Sequence, residues 1–89
     1  MERNVSNHTV NVRLECLKPA ERWTQPTGEE VKVVLKLAGL SGAEAARKLG
    51  LGEKGGRTVR RWTGDEVKVP YAVWALLCAF AGLGRIWES

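Results

Sequence analysis

Paired start and stop signals for short helices constrain the middle of this 89-residue chain more than any other feature. Thr27 to Glu30 and Ser41 to Glu44 each place a hydroxyl group three residues before a glutamate, which is the spacing of a helix capping box. Gly39 and Gly50 follow at the distance where a helix ends in a left-handed residue. These signals predict two short helices that follow each other closely.

Two further helices are predicted after the glycine-rich segment 51–56. The run Arg57–Trp62 forms the third helix, with an aliphatic and an aromatic residue three apart on its buried face. Pro70 suits the first position of a fourth helix, which ends near Gly82. The inward stripe of this fourth helix is predicted to consist of Val73, Leu76, Leu77 and Phe80. Because a chain of this length allows one small core, the helices are expected to pack together.

The first 26 residues are predicted to form an N-terminal arm (1–26) in front of the helical domain (27–89). From His8 to Leu17, apolar and polar residues alternate, which indicates a β-strand. The apolar side of this strand comprises Val10, Val12, Leu14 and Cys16. A short helical turn follows at 19–23. The predicted fold is therefore mainly α, a small bundle of four to five helices with one N-terminal β-strand.

A second copy of the chain is predicted to cover surfaces that one copy leaves open. A lone strand leaves backbone groups unpaired, so the arm is expected to pair with its own copy across a two-fold axis. The fourth helix is apolar on a second side as well. The predicted dimer interface comprises Val10, Val12, Leu14, Trp74, Cys78 and Trp87. The alternative is a monomer in which the arm is a frayed tail and the segment 83–87 folds back over the fourth helix.

The positive charge of the chain is concentrated in one segment. Residues 47–61 contain six basic residues and one acidic residue, Glu53, so this segment carries a net charge of +5. The rest of the chain holds eight basic and nine acidic residues, which gives +4 in total. Such a local excess attracts a polyanion, whereas an ordinary solvated face mixes the two signs. The segment favours nucleic acid as the partner, with an acidic protein as the alternative.

The sequence offers little for catalysis, metal binding or membrane insertion. It contains one histidine, His8, and one aspartate, Asp65, so no nucleophile with a base and an orienting acid is assembled. Cys16 and Cys78 lack the spacing of a zinc site and are predicted to be buried apolar residues. The longest uncharged run, 69–84, is shorter than a membrane span. We therefore expect a cytoplasmic protein that is not an enzyme and that uses no cofactor or metal.

The second and third helices carry the residues of a known DNA-binding arrangement, in which two short helices cross at a turn. The crossing, turn and anchoring positions are Ala46, Gly50, Val59 and Trp62. The segments 40–51 and 57–62 resemble the lambda-repressor-like (Cro/C1, Xre) family of bacterial and phage transcription regulators. The resemblance covers roughly residues 27–82. The turn from Gly50 to Val59 is longer than these proteins usually have.

This resemblance implies a helix-turn-helix whose third helix enters the major groove of DNA. The residues expected to read bases are Arg57, Thr58, Arg60 and Arg61. Arginine can donate two parallel hydrogen bonds to guanine, which supports this assignment chemically. The residues expected to contact phosphates are Ser41, Arg47, Lys54 and Thr63.

The implied function is a sequence-specific transcriptional repressor, encoded by a plasmid or a phage. It is expected to bind palindromic operators in double-stranded DNA as a homodimer, and a second regulatory protein is considered as a further partner. The alternative is a protein-interaction module, such as the antitoxin of a toxin–antitoxin pair. In that case the apolar fourth helix and Trp87 would bind a different protein.

Overall fold

A computed structural model of the chain describes residues 12–88, and within this range it contains four α-helices and no strand. The α-helices are α1 (Gly28–Ala38), α2 (Gly42–Leu49), α3 (Gly55–Thr63) and α4 (Tyr71–Phe80). Three single turns of 3₁₀-helix flank them, at Leu14–Cys16, Ala20–Arg22 and Ile86–Glu88. The mainly helical fold predicted from the sequence is confirmed.

Both predicted capping boxes are present, and they determine where α1 and α2 begin. The Thr27 hydroxyl accepts a hydrogen bond from the Glu30 N–H at 3.2 Å, and the Glu30 carboxylate accepts one from the Thr27 N–H at 2.8 Å. Ser41 and Glu44 repeat the arrangement at 3.1 and 2.8 Å. Both helices end at a left-handed glycine: Gly39 with φ 71° and Gly50 with φ 70°. The helix boundaries therefore follow from local hydrogen bonding.

The core lies between the four α-helices and the N-terminal segment. Its fully buried side chains include Val31, Val34, Val59, Trp74 and Leu77. The inward side of α4 differs from the predicted stripe, because Leu76 and Phe80 are exposed while Trp74, Ala75, Leu77 and Cys78 are buried. The predicted register failed because α4 is apolar on two sides, so periodicity alone could not show which side faces inward.

The predicted strand is wrong for the residues that the structure describes. Residues Leu14–Cys16 form a turn of 3₁₀-helix, in which Leu14 is 73% exposed while its neighbours Val12 and Cys16 are buried. The alternating pattern was misleading because Arg13 turns back onto α1, where its backbone N–H and side chain bind Glu30. Val10 and the rest of the strand before Val12 lie outside the described residues.

Three hydrogen bonds tie the N-terminal segment to α4 and its approach. The Trp74 indole Nε1 donates to the Cys16 carbonyl at 2.7 Å, and the Tyr71 hydroxyl donates to the Lys18 carbonyl at 3.0 Å. The Gln25 side-chain amide donates to the Val69 carbonyl at 2.9 Å. The buried N–H of Trp74 is therefore paired within the chain.

The C-terminal tail folds back over α4, as the monomer alternative predicted for residues 83–87. The frayed arm of that alternative is wrong for residues 12–26, which are hydrogen-bonded to α4 and its approach. The turn Ile86–Glu88 packs against α4 and buries Ile86, whereas Trp87 stays 42% exposed. The predicted dimer interface needs correction, because Val12, Trp74 and Cys78 are buried within one chain and are not available to a second copy. Of the described members of that interface, Leu14 and Trp87 are exposed.

Candidate nucleic-acid interface

The relative position of α2 and α3 depends on a close crossing of two small residues. A Cβ atom placed on Gly55 would lie 2.7 Å from the Cβ of Ala46 and 2.6 Å from the Cβ of Leu51. Glycine at this position thus allows α3 to begin two residues earlier than the predicted start at Arg57. The predicted crossing at Ala46 is found, and its partner Gly55 was missed because a Gly-Gly pair is typical of a turn.

The long turn between α2 and α3 is closed by backbone hydrogen bonds. The Leu51 N–H donates to the Ala46 carbonyl at 3.0 Å, which satisfies the end of α2 after Gly50. Gly52 takes a positive φ of 82°, and its carbonyl accepts from the Gly55 N–H at 3.1 Å. These contacts give the turn a defined path despite its length.

The exposed face of α3 carries four side chains that the sequence assigned to base reading. Val59 and Trp62 are buried against the core, at 1% and 5% exposure, and so fix the orientation of the helix. The exposed residues are Arg57, Thr58, Arg60 and Arg61. Within residues 12–88, no carboxylate lies within 4.0 Å of the three arginine side chains. Their positive charge is therefore available to an external anion.

Two open cavities flank α3 and share Arg57 and Arg60. The first, of about 500 Å³, is lined by Gly42, Ala43, Glu53, Lys54, Gly56, Arg57 and Arg60. The second, of about 420 Å³, is lined by Lys32, Arg57, Arg60, Arg61, Thr63, Gly64 and Glu66. The first cavity is bordered by the N-terminal residues of both α2 and α3, where helix dipoles add positive potential.

The four predicted phosphate contacts occupy different positions around this face. Lys54 is exposed in the first cavity, and Thr63 is partly buried in the second, where its hydroxyl donates to the Arg60 carbonyl at 3.1 Å. Ser41 and Arg47 are exposed at opposite ends of α2 and line neither cavity. The structure thus brings Lys54 and Thr63 next to the α3 arginines.

Lys32 is a basic residue of this surface that the sequence did not single out. It lies on α1, yet it lines the second cavity together with the α3 arginines. Its side chain is exposed and forms a loose ion pair with Glu29 at 3.7 Å. Since 25 positions separate Lys32 from Arg57, no local pattern links them, and an exposed lysine on an amphipathic helix was the sole available signal.

The contact between Gly28 and Asp65 joins the start of α1 to the end of α3. The Gly28 N–H donates to the Asp65 carboxylate at 2.9 Å, and a Cβ atom on Gly28 would collide with the Thr63 carbonyl. Asp65 adopts a left-handed conformation, with φ 60°, to reach this position. The carboxylate satisfies one free N–H of α1 and holds the end of α3 against it.

Three ionisable groups of the core, Glu30, Cys16 and Cys78, each keep one protonation state at physiological pH. Burial would raise the pKa of Glu30, but hydrogen bonds from Arg13 and from the Thr27 N–H lower it to about 2. Burial, followed by the nearby Glu30, raises the pKa of Cys16 to about 11, and burial raises that of Cys78 to about 12. Both thiols are thus neutral at physiological pH, which makes them poor nucleophiles and poor metal ligands.

A separate apolar cavity lies on α4, away from the α3 arginines. It has a volume of about 380 Å³ and is lined by Tyr71, Ala72, Ala75, Leu76 and Trp87. Leu76 and Trp87 are exposed, and Phe80 extends the apolar surface by one helical turn. We call this cavity and Phe80 the α4 face. Lys48 of α2 lies 5.2 Å from the Phe80 ring centre, so the α4 face adjoins the end of α2.

Two kinds of site are absent from the described part of the chain. Residues 12–88 hold no cluster of three or more histidine, cysteine, aspartate or glutamate side chains arranged for a metal ion. The helices within this range are all too short to cross a membrane.

Comparison with known proteins identifies two curated relatives, both described as transcriptional repressor protein KorC from Escherichia coli. One is 68% identical over 80 residues, and the other is 66% identical over 80 residues. Each alignment covers 90% of this chain and 94% of the relative. No family model and no solved structure matches the chain. A transcriptional repressor is a regulatory protein and not an enzyme, as the sequence predicts. The chain belongs to the KorC family of transcriptional repressors.

Proposed function

We propose that this protein is a sequence-specific DNA-binding repressor in which α2 and α3 form a helix-turn-helix of the lambda-repressor-like type. The observation that carries the proposal is the exposed face of α3. Three arginines project from it without a carboxylate partner among residues 12–88, and Val59 with Trp62 anchors the helix from behind. A rigid helix with free guanidinium groups suits the width of the major groove.

The side chains around α3 divide into two roles. Arg57, Thr58, Arg60 and Arg61 would contact base edges, where each bidentate arginine–guanine pair contributes roughly 1–3 kcal/mol of discrimination. Ser41, Arg47, Lys54 and Thr63 would contact phosphates, which fix the register without reading sequence. Lys32 would also contact a phosphate, because it lines the same cavity as Arg61. Since each neutralised phosphate releases counterions, binding should weaken steeply as salt is raised.

The α4 face supports a homodimer as the active form. Its lining is apolar, and it combines protruding side chains with a cavity, so two copies could pack the same surface against each other about a two-fold axis. Two recognition helices related in this way would read half-sites about 34 Å apart, or a multiple of that distance. The operator would accordingly be palindromic.

The proposed mechanism of repression is occupancy of a promoter operator, which excludes RNA polymerase. The protein would act in the bacterial cytoplasm, where a plasmid or phage promoter is found. The test is a selection of bound duplexes from random oligonucleotides, followed by footprinting of the selected DNA. A palindromic sequence protected on both half-sites supports the proposal, whereas retention of DNA without any common sequence contradicts it.

The α4 face also supports a second candidate function, a protein-interaction module whose partner is a different protein. Its apolar lining suits a hydrophobic partner as well as a second copy. Light scattering on the purified protein separates the two functions. A soluble homodimer favours the repressor, and aggregation that a second protein relieves favours the interaction module.

A further inference from the structure

Glu53 is an acidic residue in a segment that otherwise attracts anions. It is the sole acid among residues 47–61, which hold six basic residues. It lies in the long turn, two positions before α3 begins at Gly55, and its side chain is exposed. A carboxylate on this surface would repel DNA phosphates, so its presence needs an explanation in terms of the bound state.

The Glu53 carboxylate has no partner within the described part of the chain. It lines the first cavity together with Lys54, Arg57 and Arg60, yet no basic group of residues 12–88 lies within 4.0 Å of it. Gly42, Ala43 and Gly56 form the rest of the wall and contribute little side-chain bulk. Both carboxylate oxygens are therefore open to an external donor.

Helix capping does not account for this side chain. The residue that caps the N-terminus of α3 is Lys54, and no side chain accepts a hydrogen bond from the first turn of the helix. Glu53 thus differs from Glu30 and Glu44, which are both engaged in capping boxes. Within the chain, the Glu53 carboxylate has only a general electrostatic attraction to the dipole of α3, and any anion near the turn would have the same attraction.

We infer that Glu53 is a specificity-determining residue, which accepts a hydrogen bond from the exocyclic amine of a cytosine next to the base that Arg57 reads. This inference rests on the proposed function. The N-terminal end of a recognition helix is the part that contacts base edges, and Glu53 lies at that end.

The chemistry of the base edges gives Glu53 its selectivity. A carboxylate can only accept hydrogen bonds, and cytosine presents a donor amine, N4, in the major groove. Guanine presents the acceptors O6 and N7 there, and thymine presents the acceptor O4, so both repel a carboxylate. Adenine presents its amine N6 next to the acceptor N7, which offsets the attraction. Glu53 would therefore favour cytosine where the arginines favour guanine. Its repulsion of phosphates would also weaken binding to random DNA, which widens the difference between the operator and other sequences.

The test compares base preferences of wild type, Glu53→Gln and Glu53→Ala in selections from random duplex oligonucleotides. Glu21→Gln is the matched control, because it removes the same charge from an exposed side chain that lies outside α2 and α3. Circular dichroism verifies that all variants are folded. We expect the operator selected by the wild type to contain a cytosine at one position. The operator selected by Glu53→Gln should contain adenine at that position, since glutamine pairs with adenine N6 and N7. The preference for that cytosine should fall about tenfold in both Glu53 variants and stay unchanged in Glu21→Gln.

Two results would overturn the inference while leaving the proposed function intact. One is an unchanged base preference in both Glu53 variants. The other is an equal gain in affinity for operator and random duplexes, which would show that Glu53 acts through charge alone. If the wild-type protein itself selects no sequence, the proposed function fails and the inference fails with it.

Discussion

Gly55 of α3 crosses Ala46 of α2 so closely that a Cβ atom on Gly55 would lie 2.7 Å from the Cβ of Ala46. Neither atom is at the end of a flexible side chain, so relief of the overlap requires the two helices to move apart. We expect Gly55→Ala to destabilise the fold by about 1–3 kcal/mol, the usual range for overpacking. Urea denaturation monitored by circular dichroism measures this loss.

Gly56 provides the matched control, since it is the next residue of the same helix. A Cβ atom there would meet the Ala43 Cα at 3.9 Å, which is an ordinary contact. Gly56→Ala should therefore stabilise the protein slightly, by roughly 0.5 kcal/mol, because alanine is the better helix former. Equal effects of the two substitutions would contradict the importance of the Gly55–Ala46 crossing.

The predictable parts of this fold and site depend on residues that are close in sequence. A capping box spans three positions, and Val59 and Trp62 are also three apart, so local patterns were sufficient to place α1, α2 and the buried face of α3. The start of α3 was missed because it depends on a tertiary contact with Ala46 that overrides the turn character of a Gly-Gly pair.

Local sequence patterns could not predict contacts between residues that are far apart in the sequence. Arg13 and Glu30 are 17 positions apart, and their pairing replaces the strand that alternation indicated. The hydrogen bond from Trp74 to Cys16 spans 58 positions, and it belongs to the packing that buries one of the two apolar sides of α4. The position of Lys32 beside the α3 arginines could not be predicted for the same reason, because α1 and α3 meet only in the folded chain.

The Glu30 carboxylate should make the stability of the fold sensitive to acid. Its pKa in the folded protein is about 2, below the value of about 4.3 for an unfolded glutamate. Its stabilising contribution is therefore complete above the unfolded pKa and is lost as the pH falls through about 2. Urea denaturation of the wild type at pH 7, 4 and 2.5 should show this progressive decrease.

Glu30→Gln should remove that pH-dependent part and cost roughly 2 kcal/mol at pH 7, because the bonds to Arg13 and Thr27 are weakened. Glu44→Gln is the control, since Glu44 belongs to the other capping box but is exposed and has no arginine hydrogen bond. Its effect should be smaller at every pH. Identical pH profiles for wild type and Glu30→Gln would show that Glu30 is not the acid-sensitive group.

Arg61 and Lys54 should differ in how they contribute to DNA binding. Arg61→Ala is expected to relax the preference at one operator position by roughly 1–3 kcal/mol, as the loss of a base contact does. Lys54→Ala is expected to weaken binding to operator and random duplexes alike. It should also reduce the slope of log affinity against log salt concentration by about one. Fluorescence anisotropy on both kinds of duplex, over a series of salt concentrations, measures both effects. Equal losses on both duplexes for both variants would contradict the two roles.

The α4 face should be required for the proposed homodimer. Leu76→Glu places a charge on this face and is expected to convert the dimer to a monomer, because an unpaired carboxylate is costly in an apolar interface. Leu37→Glu is the matched control, since Leu37 lies on α1 and is 43% exposed, the same fraction as Leu76. Light scattering gives the mass of each variant. A dimer that survives Leu76→Glu would place the interface elsewhere.

Contact between the α3 arginines and DNA is tested by NMR, in which the arginine Nε–Hε resonances are followed while the selected operator duplex is added. Arg13 and Arg85 serve as internal references, since Arg13 binds Glu30 and Arg85 pairs with Glu88 within the chain. The proposed interface predicts that the resonances of Arg57, Arg60 and Arg61 shift until one duplex is bound per dimer, while the references stay in place. Saturated binding that leaves these three α3 resonances unmoved would contradict it.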